Sequence, residues 1–196
     1  ARRVAAILER WGIDIAPSSG APLAHSQTGS LLLIFSRWAF DPADPVRLLA
    51  VLKHPLVQIG RDSAELSRLV TRLDRNMLRG PRKRRTLEDL ATFINHPPGC
   101  DEPDYRGPRP DPEGAILIRD VDRLFGDVAH CFLRDDFSAP AATDAIAQLA
   151  QALADGPALP GTRIWSGKAG EMAAKFVAQL SELTNAFANM DARDFP

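Results

Sequence analysis

The chain has 196 residues, enough for one substantial core or two small ones. Hydrophobic residues make up 45% and charged residues 25%, the balance of an ordinary folded protein, and the formal net charge is −1. That charge excludes a uniformly basic surface, so any nucleic-acid contact must come from a local patch.

Residues 2–11 carry Val4, Ile7, Leu8 and Trp11 at helical spacing, and Gly12 stops that helix. Ile13-Asp-Ile15 alternates as a short strand would, and residues 17–22 form a Pro/Ser/Gly turn cluster. A second helix is predicted from about Thr28 to Ala39, apolar nearly all round and therefore buried. Pro42 and Pro45 separate it from a third, Val46 to Lys53, stopped by Pro55. Over residues 62–79, Leu66, Leu69, Val70, Leu73 and Met77 share one helical face, and Gly80-Pro81 ends that helix.

Thr86-Leu-Glu-Asp89 has the form of a variant capping box opening a helix to about Asn95. Residues 97–112 hold too many prolines for a helix, because proline lacks the amide donor and clashes with the preceding turn. They read as a loop within one domain, since the helices on both sides still need partners. From about Glu113 to Arg134, Leu117, Val121, Leu124, Phe125, Val128 and Phe132 form an apolar stripe. Pro140 suits the first turn of a helix running to about Ala154, and residues 156–161 form a loop. The last long helix carries Met172, Phe176, Leu180, Leu183, Phe187 and Met190 on one face. The expected architecture is all-α, an irregular bundle of about eight helices with one short extended segment near residue 13.

Two cysteines, Cys100 and Cys131, give no disulfide framework, which suits a reduced, cytoplasmic compartment. The longest apolar run, Leu31 to Phe35, is too short to span a membrane, and no signal-peptide pattern opens the chain. The chain lacks an initiator Met and begins inside a helix, as expected of a piece of a longer protein.

Catalytic patterns are sparse. Gly161-Thr-Arg-Ile-Trp-Ser-Gly-Lys-Ala169 nearly matches a phosphate loop, but five residues separate the glycines, Ala169 has no hydroxyl for Mg²⁺, and no strand precedes it. It reads instead as a helix N-terminus capped by Ser166. His25, His54, His96 and His130 stand far apart without metal-ligand spacing, and His54, just before Pro55, suits a structural role. His130 and Cys131, adjacent on one helix, point in different directions. The carboxylate pairs Asp120/Asp122 and Asp135/Asp136 read as solvated surface, since a two-metal nuclease would also need a Lys in a strand-built site. Trp11, Trp38 and Trp165 each occupy an apolar helical position or a helix start, which favours core packing over base stacking.

One charge cluster is pronounced. Arg79-Gly-Pro-Arg-Lys-Arg-Arg85 places five cations, Arg79, Arg82, Lys83, Arg84 and Arg85, in seven residues. Such density attracts phosphates. The alternative is a solvated loop that complements the C-terminus of the preceding helix.

Four strings occur here in the order of AddB-like subunits of bacterial helicase–nuclease complexes that process broken DNA ends. They are residues 4–23 (helix, extended stretch, Gly turn), Leu48-Leu-Ala-Val-Leu-Lys-His-Pro-Leu56, Arg79-Gly-Pro-Arg82 and Trp165-Ser-Gly-Lys-Ala-Gly-Glu171. The chain resembles that family over most of its length. The resemblance implies that residues 1–24 are the edge of a second RecA-like motor domain and that residues 25–196 are the helical domain inserted in it. It implies double-strand break repair, with backbone contacts to DNA and packing against an AddA-like partner subunit. The family's iron–sulfur cluster needs four cysteines, and its complexes use Mg²⁺ and ATP. Two cysteines cannot hold that cluster, so no cofactor and no catalytic residue of the family maps onto this chain. The competing expectation is an interaction scaffold that touches no nucleic acid.

Overall fold

The computed structural model describes residues 7–8, 10–12, 22–79, 86–132 and 138–182. Among these residues the chain is all-α, with seven α-helices, a π turn, two short 3-10 turns and no strand. The expected strand at 13–15 lies outside the described residues.

Local sequence sets the helix boundaries. Helix α1 (Gln27–Trp38) starts where Ser26 Oγ accepts the Gly29 N–H at 3.0 Å. Helix α2 (Pro45–Leu52) starts at Asp44, whose carboxylate accepts the Val46 and Arg47 amides at 2.8 Å. Helix α3 (Ser63–Leu73) starts at Asp62 in the same way and runs on through a π turn, Asp74–Leu78. Thr86 Oγ1 accepts the Asp89 amide at 3.0 Å and opens α4 (Leu87–Asn95), the cap its sequence predicts. Each such cap satisfies amides that have no partner inside the helix, and is worth about 1 kcal/mol. Helix α5 (Pro112–Phe132) follows Asp111, α6 (Ala139–Ala154) follows Ser138 with Pro140 in its first turn, and α7 (Gly167–Glu182) follows a 3-10 turn, Gly161–Trp165.

One hydrophobic core runs through all the elements from α1 to the 3-10 turn. Helix α5 is its spine, burying Ala115, Leu117, Ile118, Val121, Phe125 and Val128 between α4 and α6. Trp38 at the end of α1 packs against Phe125, ring centroids 4.7 Å apart, and its indole N–H donates to the Pro42 carbonyl at 2.9 Å. A buried tryptophan thus keeps its one polar atom satisfied.

The segment between α2 and α3 closes the C-terminus of α6. The Gln58 and Ile59 amides both donate to the Leu153 carbonyl, at 2.8 and 2.9 Å, and the Gly60 amide donates to the Asp155 carbonyl. These bonds hold Ile59 at φ +52°, a left-handed conformation that costs a β-branched residue on the order of 1–2 kcal/mol.

Three expectations need correction. Trp11 is not packed in the described core; it is 78% exposed. Ser166 is not shown as a helix cap: its hydroxyl donates to the Arg163 carbonyl at 2.6 Å and so completes the 3-10 turn. On α7, Met172 and Phe176 of the apolar stripe face outward, and the helix docks through Gly170 and Ala173. The periodicity finds the stripe, but the small residues allow the close approach. Leu183, Phe187 and Met190 lie outside the described residues.

Candidate nucleic-acid interface

The buried face of α3 and its π turn carries Leu66, Leu69, Val70, Leu73, Met77 and Leu78. A helix that buries those positions must present the remaining ones to solvent. The exposed positions from Ser67 onward are Ser67, Arg68, Thr71, Arg72, Arg75, Asn76 and Arg79, with Glu65 and Asp74 half-buried beside them. The four arginines follow one another at intervals of four, three and four residues, the spacing of one helical face. The first six of these residues line an open groove of about 340 Å³ that has no acidic side chain in its wall. Lys53 stands nearby, its Nζ 2.6 Å from Asp74.

Not all four cations are available to a ligand. Arg72 grips Asp111 in a two-pronged pair, Nε to Oδ2 at 2.7 Å and Nη2 to Oδ1 at 2.8 Å, and also reaches Glu113 at 2.8 Å. Those hydrogen bonds, to Asp111 first and Glu113 second, push its pKa further up. Asp111 is buried and takes the Gly114 amide as well, so it ties α3 to the start of α5. Arg79 Nε is 3.2 Å from Asp74, whose carboxyl is held below its usual range by its hydrogen bonds from Lys53 and then Arg79.

Arg68 and Arg75 differ. Arg68 makes only a 3.3 Å bond to the Ala64 carbonyl of its own helix. Among the described residues, neither Arg68 nor Arg75 has an ion pair. Both are exposed, and seven helical residues set them about 10 Å apart. The face therefore offers two cations without an ion pair, flanked by hydroxyl and amide groups, although Arg68 also borders a groove that holds Glu65 and Glu113.

Of the five predicted DNA-contacting residues, only Arg79 can be placed, at the end of this face. Arg82, Lys83, Arg84 and Arg85 lie outside the described residues. Arg68, Arg72 and Arg75 have helical spacing in the sequence but form no dense charge cluster there. They are spread along a helix, and a search for dense charge overlooks them.

The other candidates resolve into structure. The near phosphate loop is no cradle: Gly161 is buried, and a side chain there would come within 1.9 Å of the Gln151 carbonyl oxygen. His54 is buried; its Nδ1 accepts the Leu56 amide at 3.3 Å, which leaves Nε2 carrying the proton toward Ser30 Oγ at 3.2 Å. Asp120 is not a free surface carboxylate, since it takes Arg61 at 2.8 Å and Arg123 at 2.9 Å. Burial, then the nearby Glu88, pushes the Asp122 carboxyl up. Trp165 is half-buried, its N–H on Gln151 Oε1 at 3.0 Å. Cys131 is half-buried, 3.9 Å from the Ala141 carbonyl; Asp135 and Asp136 lie outside the described residues, and the side chain of His130 is likewise not described.

His96, treated in sequence as an isolated histidine, is brought against Cys100 and Asp101. Burial, and then the Asp101 charge, pushes the Cys100 thiol up, which disfavours a thiolate nucleophile there.

Comparison with models of protein families, with curated proteins and with solved structures found no match to this chain.

Proposed function

We propose that this chain is a non-catalytic helical module that grips the phosphate backbone of DNA along the outer face of α3. The observation that carries the reading is the pair Arg68 and Arg75, exposed, on one face, and without an acidic partner among the described residues. Arg79 continues the face toward the basic string Arg82–Arg85. Such a surface recognises charge and spacing and reads no base edges. In combination with the four AddB-like strings, it supports membership of a double-strand break repair helicase–nuclease subunit acting in the cytoplasm beside an AddA-like partner. ATP, Mg²⁺ and an iron–sulfur cluster would belong to other parts of such a complex.

The test is a salt titration of binding to labelled duplex DNA. Each phosphate neutralised contributes about 0.9 to the slope of log K against log salt. The Arg68→Ala/Arg75→Ala double variant is expected to lower that slope by about 2, and substitution of Arg82, Lys83, Arg84 and Arg85 to lower it further. A slope unchanged by the double variant overturns the α3 interface.

A second reading, an interaction scaffold, is favoured by one observation. Met172 is 53% and Phe176 is 49% exposed, side by side on α7 at an interval of four. No DNA binding at low salt would favour that reading.

A further inference from the structure

The segment after α4 gathers three different metal-ligating groups within six residues. Cys100 Sγ lies 3.4 Å from His96 Nδ1 and 3.7 Å from Nε2. His96 Nε2 lies 3.1 Å from Asp101 Oδ2, and Cys100 Sγ lies 3.9 Å from Asp101 Oδ1. One ligand atom from each residue falls within 4.8 Å of the others. A tetrahedral Zn²⁺ with bonds of about 2.0–2.3 Å separates its ligands by roughly 3.3–3.8 Å. The Cys100–His96 contacts fall at that spacing, and the contacts to Asp101, 3.1 Å from His96 and 3.9 Å from Cys100 through its two different oxygens, lie on either side of it.

The backbone holds them there. His96 ends α4, its amide on the Thr92 carbonyl at 3.0 Å. Pro97 and Pro98 fix two φ angles, and Gly99 turns the chain at φ +79°, where a side chain would be strained. Two tight turns follow, Cys100 N–H to Pro97 C=O and Glu102 N–H to Gly99 C=O, both at 3.0 Å. The Asp111 amide donates to the Ile94 carbonyl at 2.8 Å and closes the base of the loop. A cation binding here would lose little chain entropy in ordering its ligands.

We propose that His96, Cys100 and Asp101 form a binding site for a zinc-class divalent cation, with the fourth position open to water. The ligand set argues the class. A thiolate and an imidazole favour zinc and related borderline-soft ions over Mg²⁺ or Ca²⁺, which take oxygen ligands. His96 and Asp101 are exposed, so the ion has a route in. On binding, the sulfur–metal bond forms as the thiol proton passes to solvent, and imidazole enters as the neutral base. The proposal uses none of the α3 arginines and does not depend on the DNA reading.

The probes are Co²⁺ and Zn²⁺ added to the full chain. One equivalent of Co²⁺ is expected to give a thiolate-to-cobalt charge-transfer band, displaced by Zn²⁺. The band is expected to vanish in Cys100→Ser and His96→Ala and to persist in Cys131→Ser. A second measurement needs no variant: Zn²⁺ is expected to slow alkylation of Cys100 and leave Cys131 unaffected. Absence of the band at saturating Co²⁺, a band that survives Cys100→Ser, or equal alkylation of Cys100 with and without Zn²⁺ would overturn the site.

Discussion

Helices α3 and α7 look alike as sequence, each with apolar residues every three or four positions, and yet they use those residues differently. Helix α3 buries its stripe entirely, so its outer face is left to arginine, serine, threonine and asparagine. Helix α7 buries Gly170 and Ala173 and holds Met172 and Phe176 out. Periodicity establishes that a helix has two faces. Which face meets the core depends on the space its neighbours leave, and small residues permit the closest approach. The exposed surfaces differ accordingly: a polar, cationic face on α3 and an apolar edge on α7.

The largest effect that tests this contrast is on stability. Leu73, the last residue of α3, is fully buried, and Leu73→Ala is expected to cost about 3–4 kcal/mol through lost burial and the cavity left behind. Phe176→Ala, removing a larger side chain, is expected to cost about 1 kcal/mol or less because half of it is already in water. Urea unfolding of the two variants measures this directly. Equal losses would mean that α7 packs through its stripe after all.

A smaller effect divides the arginines of α3 among themselves. Asp111→Ala removes the buried partner of Arg72 and the acceptor of the Gly114 amide, and is expected to cost about 2–3 kcal/mol. In double-mutant cycles, Arg72 and Asp111 are expected to couple by about 1 kcal/mol or more, and Arg75 and Asp111 by nothing measurable. Arg72 then counts as a structural cation and Arg75 as one free for phosphate. Coupling of Arg75 to Asp111 as strong as that of Arg72 would erase the distinction on which the proposed interface rests.

These partnerships also mark what the sequence could and could not show. Helix starts were legible because a cap is a local event: Thr86 sits three residues before the amide it binds, and the prolines of 97–112 rule out a helix by their own chemistry. The fate of Arg72 was not legible, because its partner Asp111 is 39 residues away. Nor was the exposure of Met172, which depends on how α6 and the 3-10 turn receive α7. The His96–Cys100–Asp101 group carried a signal, three ligand types within six residues around a Pro-Pro-Gly turn. Spacing among the four histidines does not carry that signal, because the neighbouring ligand types are a thiol and a carboxylate.

The smallest expected effect concerns how α3 is seated. His54, Pro55 and Val57 line a crevice with Leu66, Ser67, Val70 and Thr71 of that helix. Neutral His54 accepts the Leu56 amide at Nδ1, a bond that a protonated ring cannot accept. Burial lowers its pKa from 6.5, and the neighbouring Lys53 is turned to Asp74. Above that value both folded and unfolded chains hold the ring neutral, and the stabilisation is complete. As the pH falls below 6.5, the unfolded chain takes up the proton first, so stability declines until the folded-state pKa is reached and then levels off. Within that window the slope from this one group is at most about 1.4 kcal/mol per pH unit. Unfolding free energies measured across the window should therefore fall more steeply for the parent chain than for His54→Gln, whose side chain does not titrate. Parallel curves would show that the imidazole is not what seats α3.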